Sequence, residues 1–332
     1  MSNKVFIAAT GNGIARASRP GSGEWAVELL LDEYNVRCLA VDPLNRNIVY
    51  AGTQGSGVLR SDDQGQTWRT VGLERMVVKS LAASRLESGV VYAGTRPALV
   101  FASRDKGATW SELQAFRRIP WRWLWRSPAE KPYVAYVQAI ALSPTDPDVI
   151  VAGIEAGAVV LSEDAGRTWS RHRPGALRDC HTLAFHATDG NWIYEGGGTG
   201  HGFAFSRDAG RTWHKHKAGL DRAYGWAVAA DPTRPDIWYA SLSPGPSKAH
   251  SDGQASAYIF RSVGGKPWQK LGGGLPQPLD HMPYALLTDP GAPGHLYAGL
   301  SNGDVWHSSD YGDNWEKLPF NLGGIHQAMI ML

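Results

Sequence analysis

Apolar positions along this chain fall in short runs separated by glycine, proline, asparagine and aspartate, the pattern of β-strands between tight turns. Between residues 36 and 73 four such runs follow one another, VRCLAVDP, NIVYAGT, GVLRS and TWRTVGL. The second of them returns as VVYAGT, VIVAGI, NWIYEGG, IWYASL and HLYAGL. A run that recurs in this way predicts a repeat architecture built from small four-stranded antiparallel units.

Each unit also carries a turn signal. SDDQGQTW (61–68), SRDKGATW (103–110), SEDAGRTW (162–169) and SRDAGRTW (206–213) keep Ser, Asp, Gly, Thr and Trp at one spacing, and SSDYGDNW (308–315) changes only Thr to Asn. Weaker copies stand at SRPGSGEW (18–25) and SVGGKPW (262–268). The aspartate can accept backbone amides of the turn, glycine permits a positive φ, and the tryptophan opens the next strand with a large ring to bury between units. A device present in most units belongs to the scaffold, so Asp63, Asp105, Asp164, Asp208 and Asp310 are predicted to be structural rather than catalytic.

Seven boxes predict seven blades, and the two ends of the chain complete one of them. VFIAAT and GIARAS read as second and third strands with no first strand before them, and IHQAMIML reads as a first strand with nothing after it. The expectation is an all-β, seven-bladed β-propeller forming one domain over 1–332, with four antiparallel strands per blade and the first blade closed by the C-terminal strand. On the S-x-D-x-G-x-T-W boxes the chain resembles the Asp-box (BNR) repeat β-propellers of the sialidase-like and glycosidase-like superfamily. That group includes sialidases, some xyloglucan-degrading enzymes, sortilin-type receptors and a photosystem assembly factor. The resemblance implies a fold, but enzymes and binding modules share it.

Composition narrows the partners. A formal charge of +2 with scattered basic residues predicts no nucleic-acid surface. The only apolar run near the N-terminus, VFIAA, is too short for a signal-peptide core or a membrane span, so the expectation is a cytoplasmic protein that does not enter a membrane. Cys38 and Cys180 fall in the innermost strands of different units and are expected to be buried thiols; two cysteines cannot build a cysteine metal site.

Insertions point to the face that varies. FRRIPWRWLWRSPAEKPYVAY, near 116–135, follows a fourth strand, and SPGPSKAHSDGQAS, near 242–257, lies between a second and a third; both map to the face opposite the boxes. Aligned on VRCLAVDP, the innermost strands place Arg37, Lys79, Gln138, His181, Trp226, Tyr284 and Gln327 at one level. Leu39, Leu81, Ile140, Leu183, Val228, Leu286 and Met329 form an apolar layer beneath them. Asn35, Tyr136, Asp179 and Tyr224 lie one pleat further out, and Glu195, His201 and His281 come from loops on the same face. Polar groups among aromatics at a channel mouth predict a pocket for a small polar or carbohydrate-like ligand.

Three chemistries compete for that pocket. Glycosidase-like hydrolase or lyase chemistry would use His181, Glu195 and Asp179 as acid and base groups. Arg37 and Lys79 would contact an anion, with Gln138, Tyr224, Trp226, His281, Tyr284 and Gln327 as further binding residues. In WRWLW, alternation would let Trp121, Trp123 and Trp125 share one face and stack on sugar rings. FRRIP (116–120) resembles the sialidase F/Y-R-I-P motif with one residue inserted, and the resemblance implies that Arg118 would bind a substrate carboxylate. A metal-dependent enzyme is the second chemistry, with His181, His281 and His201 as candidate ligands but no local motif such as H-E-x-x-H. The third is a non-catalytic binding or assembly module whose protein partner docks on the 116–135 loop. EGGGTGHG joins two strands with no helix after it, so no nucleotide cofactor is expected; no motif specifies another cofactor.

Overall fold

A computed structural model describes residues 4–21, 23–129, 131–198, 202–326 and 328–332. Seven sheets follow one another around a central channel, each with its first strand innermost. In blade 1 the C-terminal strand Met329–Met331 pairs antiparallel with Val5–Ala9, matching Phe6 with Met331 and Ala8 with Met329. The remaining innermost strands are Val36–Val41, Val77–Ala83, Val137–Leu142, Cys180–Phe185, Tyr224–Ala230 and Pro283–Asp289, one for each of blades 2 to 7.

Blades 4 and 5 depart from the four-strand expectation, with three strands each. In blade 4, side chains stand in for the missing edge strand: Leu161 N–H donates to Ser170 Oγ at 2.9 Å and Val159 N–H to His172 Nδ1 at 3.1 Å. In blade 5 the fourth strand is reduced to one bridge between Phe205 and His214.

The repeated turn is built alike in five blades. Asp63 Oδ1 accepts Ser61 Oγ at 2.7 Å and Thr67 N–H at 2.9 Å, while Oδ2 accepts Thr67 Oγ1 at 2.6 Å. The same triplet recurs at Asp105, Asp164 and Asp208, and at Asp310 with Asn314 replacing threonine. Gly65 adopts φ 82°, which side-chain-bearing residues rarely tolerate. These aspartates are consumed by their own turns.

All six innermost strands of blades 2 to 7 share an irregularity. The pairing with the second strand skips Arg37, Lys79, Gln138, His181 and Tyr284, and in blade 6 it skips Trp226 and Ala227. Each is a β-bulge, which re-aims the extra side chain. A bulge also frees the carbonyl just before it, and in four places the preceding blade supplies the donor. Cys38 Sγ donates to Val78 O at 3.8 Å, Ser80 Oγ to Val137 O at 2.8 Å, His181 Nδ1 to Gly225 O at 2.8 Å and Ser241 Oγ to Pro283 O at 2.8 Å.

This approach explains the glycine of the recurrent Y-A-G run. A Cβ on Gly94 would lie 2.3 Å from Ser80 Oγ and one on Gly153 2.2 Å from Cys180 Sγ. Where blade 6 replaces the glycine, it places Ser241, whose own hydroxyl makes the inter-blade bond. Cys38 and Cys180 are free and buried. Among the described residues no helix is long and apolar enough to cross a membrane.

Asp208→Ala removes the three turn hydrogen bonds and should lower unfolding free energy by about 1–3 kcal/mol in urea titration at pH 7. Hydrogen bonds to the ionised carboxylates hold Asp63 and Asp310 at about 2, below the ordinary 3.8. Their contribution is therefore complete above pH 3.8 and is lost as pH falls towards 2; a box variant should flatten that acid limb.

Candidate functional site

The bulges bring the ring residues to the channel mouth opposite the boxes. A cleft of about 790 Å³ opens there, in the range of small-molecule sites. Lys79, Gln138, His181 and Trp226 reach it from the ring, Tyr136, Asp179 and Tyr224 from the next pleat, and both insertions wall it through Trp125 and His250. An adjoining recess of about 460 Å³ shares Trp226 and His250 and is lined by Asn35, Arg37 and Tyr284. Arg37 Nε and Gln138 Oε1 are buried without a hydrogen-bond partner among the described residues, so both retain capacity for a polar ligand.

At the floor of the larger cleft, Glu155, Asp179 and His181 converge with one ligand atom of each within 4.8 Å of the others. His181 Nε2 lies 3.7 Å from Glu155 Oε2 and 3.8 Å from Asp179 Oδ1. Its Nδ1–H is engaged by Gly225 O, which leaves the Nε2 lone pair facing the carboxylates. The ring stacks on Trp226 at a centroid distance of 4.4 Å. Burial lowers the His181 pKa against the raising pull of Asp179.

Glu155 is pushed up to about 8 by burial and by the charge and hydrogen bond of Asp179, with Lys79 pulling the other way. At neutral pH Glu155 therefore keeps its proton. Gly198 makes room for this arrangement, since a Cβ there would lie 2.1 Å from Asp179 Oδ2. Close approach, not phosphate binding, accounts for this part of the EGGGTGHG run.

The second insertion is fastened to the wall by a directional chain. Tyr224 OH donates to His250 Nε2 at 2.7 Å, His250 Nδ1–H to Tyr284 OH at 2.7 Å, and Tyr284 OH to Ala249 O at 3.2 Å. Burial lowers the His250 pKa, in keeping with a neutral ring, and raises that of Tyr284 to about 12.

Other expected site residues lie elsewhere. Glu195 is fully buried and is not among the residues lining either space; its Oε2 accepts Leu177 N–H at 2.9 Å. It stands where the other second strands carry Ala51, Ala93, Ala152, Ala240 and Ala298, facing a blade interface. The expected Asp179–Glu195 pair is thus not assembled in the cleft, and Glu155 takes the place beside Asp179. His281 lines neither space; its Nδ1 lies 3.4 Å from Asp252 Oδ1 and 3.5 Å from Ser301 Oγ. Arg118 ends the exposed side of the 3-10 turn Gln114–Arg118, which is anchored by buried Phe116.

WRWLW is not extended: Trp121 adopts a left-handed φ of 68° and Arg122–Leu124 form a 3-10 turn. Trp121 and Trp123 are therefore exposed while Trp125 turns to the cleft, so the three rings share no face. His201 and Gln327 lie outside the described residues. The residues missed by sequence reasoning are Glu155, Arg178 and the wall role of His250. Glu155 follows directly on a second strand, at the start of a loop that faces the mouth.

Residues 3–238 match the family model described as the DUF6242 beta propeller domain. No curated protein matches the chain. Among solved structures it is similar to the GH74 xyloglucanase from Xanthomonas campestris, at 21% identity and TM-score 0.62, over 85% of this chain and 45% of that one. A GH74 enzyme from Niastella koreensis gives 16% identity and TM-score 0.65 over 94% and 53% of the two chains. YCF48 bound to D1 peptide gives 16% and 0.59 over 90% and 86%. The chain spans about half the length of these GH74 enzymes, and likeness at such identities shows the fold alone.

Burial raises Glu195 to about 8, as it does Glu155 with help from Asp179. Between the ordinary value of 4.5 and about 8 the folded chain keeps protons that the unfolded chain releases, so stability falls as pH rises through this window and levels off above it. Glu195→Gln should be less sensitive to that rise, as read by urea unfolding at pH 5 and pH 8. An unchanged difference between the two pH values would contradict the burial of an acidic Glu195.

Proposed function

This chain belongs to the DUF6242 beta-propeller domain family, and on that scaffold we propose that it is an enzyme, a hydrolase or lyase acting on a small, polar, carboxylate-bearing molecule of carbohydrate type. The observation that carries this reading is the Glu155–Asp179–His181 cluster at the floor of a cleft walled by both insertions. Lys79 and Arg178 on the same walls outweigh the one charge of a carboxyl pair in which Glu155 keeps its proton, which suits an anionic ligand.

Glycosidases hold their two carboxyl groups about 5–5.5 Å apart when retaining and about 6.5–9.5 Å apart when inverting. Carboxylate oxygens of Glu155 and Asp179 lie within 4.8 Å of each other, closer than either arrangement. Elimination fits better. Asp179 takes the proton from the carbon beside the substrate carboxylate, the C–H electron pair becomes the new double bond, and the adjacent C–O bond breaks as Glu155 gives its proton to the departing oxygen. The proton on Asp179 then returns to Glu155 through their hydrogen bond. His181 Nε2 stands 3.7 Å from Glu155 and 3.8 Å from Asp179, beside both reacting groups.

A second reading is a recognition module. It is favoured by Trp121, Trp123 and Leu124, exposed at 60%, 71% and 57% beside the cleft. That the related-fold structure of YCF48 is bound to a peptide makes this worth separating by experiment.

The test is a turnover screen of uronic-acid-containing oligosaccharides, read by the absorbance of the new double bond. Asp179→Asn and Glu155→Gln should each lose about 10²–10⁴-fold in kcat with melting temperature retained, and Trp123→Ala should keep turnover. No turnover by the parent protein, with peptide binding lost in Trp123→Ala, would replace the enzyme reading by the second one.

A further inference from the structure

We propose that Glu155, Asp179 and His181 hold one divalent cation, Zn2+ or Mn2+, at the floor of the cleft. This rests on the same site as the enzyme reading, but it makes a claim that does not need turnover. Among the described residues, these are the one set of three or more His, Cys, Asp and Glu whose ligand atoms converge in this way. Ligands bound at about 2.0–2.2 Å and separated by tetrahedral or somewhat wider angles stand roughly 3.3–3.9 Å apart. The Nε2 separations of 3.7 and 3.8 Å fall in that interval.

A second observation comes from the imidazole itself. His181 is only 5% exposed, yet its Nε2 has no hydrogen-bond partner among the described residues. Its Nδ1–H is fixed by a backbone carbonyl and its ring by Trp226, the arrangement that orients a metal-ligating histidine. An oriented lone pair on a buried imidazole, facing two carboxylates at 3.7 and 3.8 Å, is a donor set for a cation between them.

The supports are rigid. His181 occupies a bulge in an innermost strand, Asp179 precedes that strand, and Glu155 follows Val149–Ile154 directly. Cleft space opposite the three protein groups leaves coordination positions for water or for an oxygen of the ligand. One nitrogen and two carboxylate oxygens suit Zn2+ or Mn2+ better than Ca2+, which takes six to eight oxygens. With both carboxylates ionised, the ion neutralises their two charges, and Lys79 and Arg178 remain to attract an anionic ligand. Bound there, the ion would supply a Lewis acid at the reacting end of that ligand.

The whole chain, stripped with chelator and dialysed, is titrated with ZnCl2 and with MnCl2 by calorimetry, with Mn2+ followed also by electron paramagnetic resonance. The expected result is one ion per chain, weakened roughly 100-fold or more in Glu155→Gln and in Asp179→Asn. Each variant is melted without metal to confirm its fold. His307→Ala should bind like the parent, since the contacts it removes, to His295 at 3.0 Å, to Glu316 at 3.1 Å and to the Tyr297 ring, all lie elsewhere in blade 7. Binding that survives both carboxylate variants, or that disappears in His307→Ala, overturns the proposal. A stoichiometric site in a protein with no turnover supports it while removing the enzyme reading. Turnover by an ion-free protein that binds neither metal does the reverse.

Discussion

The innermost strands of blades 2 to 7 carry residues that their partner strands do not match, and most of what is distinctive in this molecule follows from how that excess is absorbed. A bulge turns one side chain towards the channel and frees the carbonyl before it. In four places a neighbouring blade caps that carbonyl with Cys38, Ser80, His181 or Ser241. Blade-to-blade contact and presentation of the ring are therefore the same event. In blade 5 the capping group is itself the ring residue, so the bond that joins blades 5 and 6 also sets the tautomer of His181.

The electrostatics of the mouth follow from that geometry. Bringing Glu155 from blade 4 against Asp179 from the entrance to blade 5 puts two carboxyl groups in one desolvated place, and burial with the neighbouring charge pushes Glu155 up to about 8. The adjacent imidazole faces the same point, with Nε2 3.7 Å from Glu155 and 3.8 Å from Asp179. The box aspartates show the opposite solution: wrapped in amide and hydroxyl donors at the far face, they ionise readily and serve the turn. One residue type thus serves scaffold and candidate chemistry at opposite ends of the disk.

Strand order, the closure of blade 1 and the structural role of the boxes were legible because they repeat, and repetition separates scaffold from site. The ring was legible in register for the same reason, although the bulges were not: blades 2 to 7 share the excess residue, so aligning them with one another conceals it. Glu195 misled because its charge drew attention, whereas its alanine counterparts at Ala51, Ala93, Ala152, Ala240 and Ala298 mark a position that faces a blade interface. Glu155 stayed hidden because its partnership with Asp179 spans two blades and has no local spacing. In WRWLW, strand alternation failed at Trp121, whose left-handed backbone starts a turn.

The account centres on a buried Glu155 that keeps its proton at neutral pH beside Asp179 at the cleft floor, and infrared difference spectroscopy of the protein stripped of metal tests it most directly. At pH 7 the parent protein should show the carbonyl stretch of protonated carboxyl groups, one component of which disappears in Glu155→Gln while another, belonging to Glu195, remains. Asp179→Asn should shift the Glu155 component without abolishing it, because the hydrogen-bond partner changes from carboxylate to amide. A pH 7 spectrum in which Glu155→Gln removes only ionised carboxylate bands would contradict the protonated Glu155 and the desolvated cluster on which the functional reading depends.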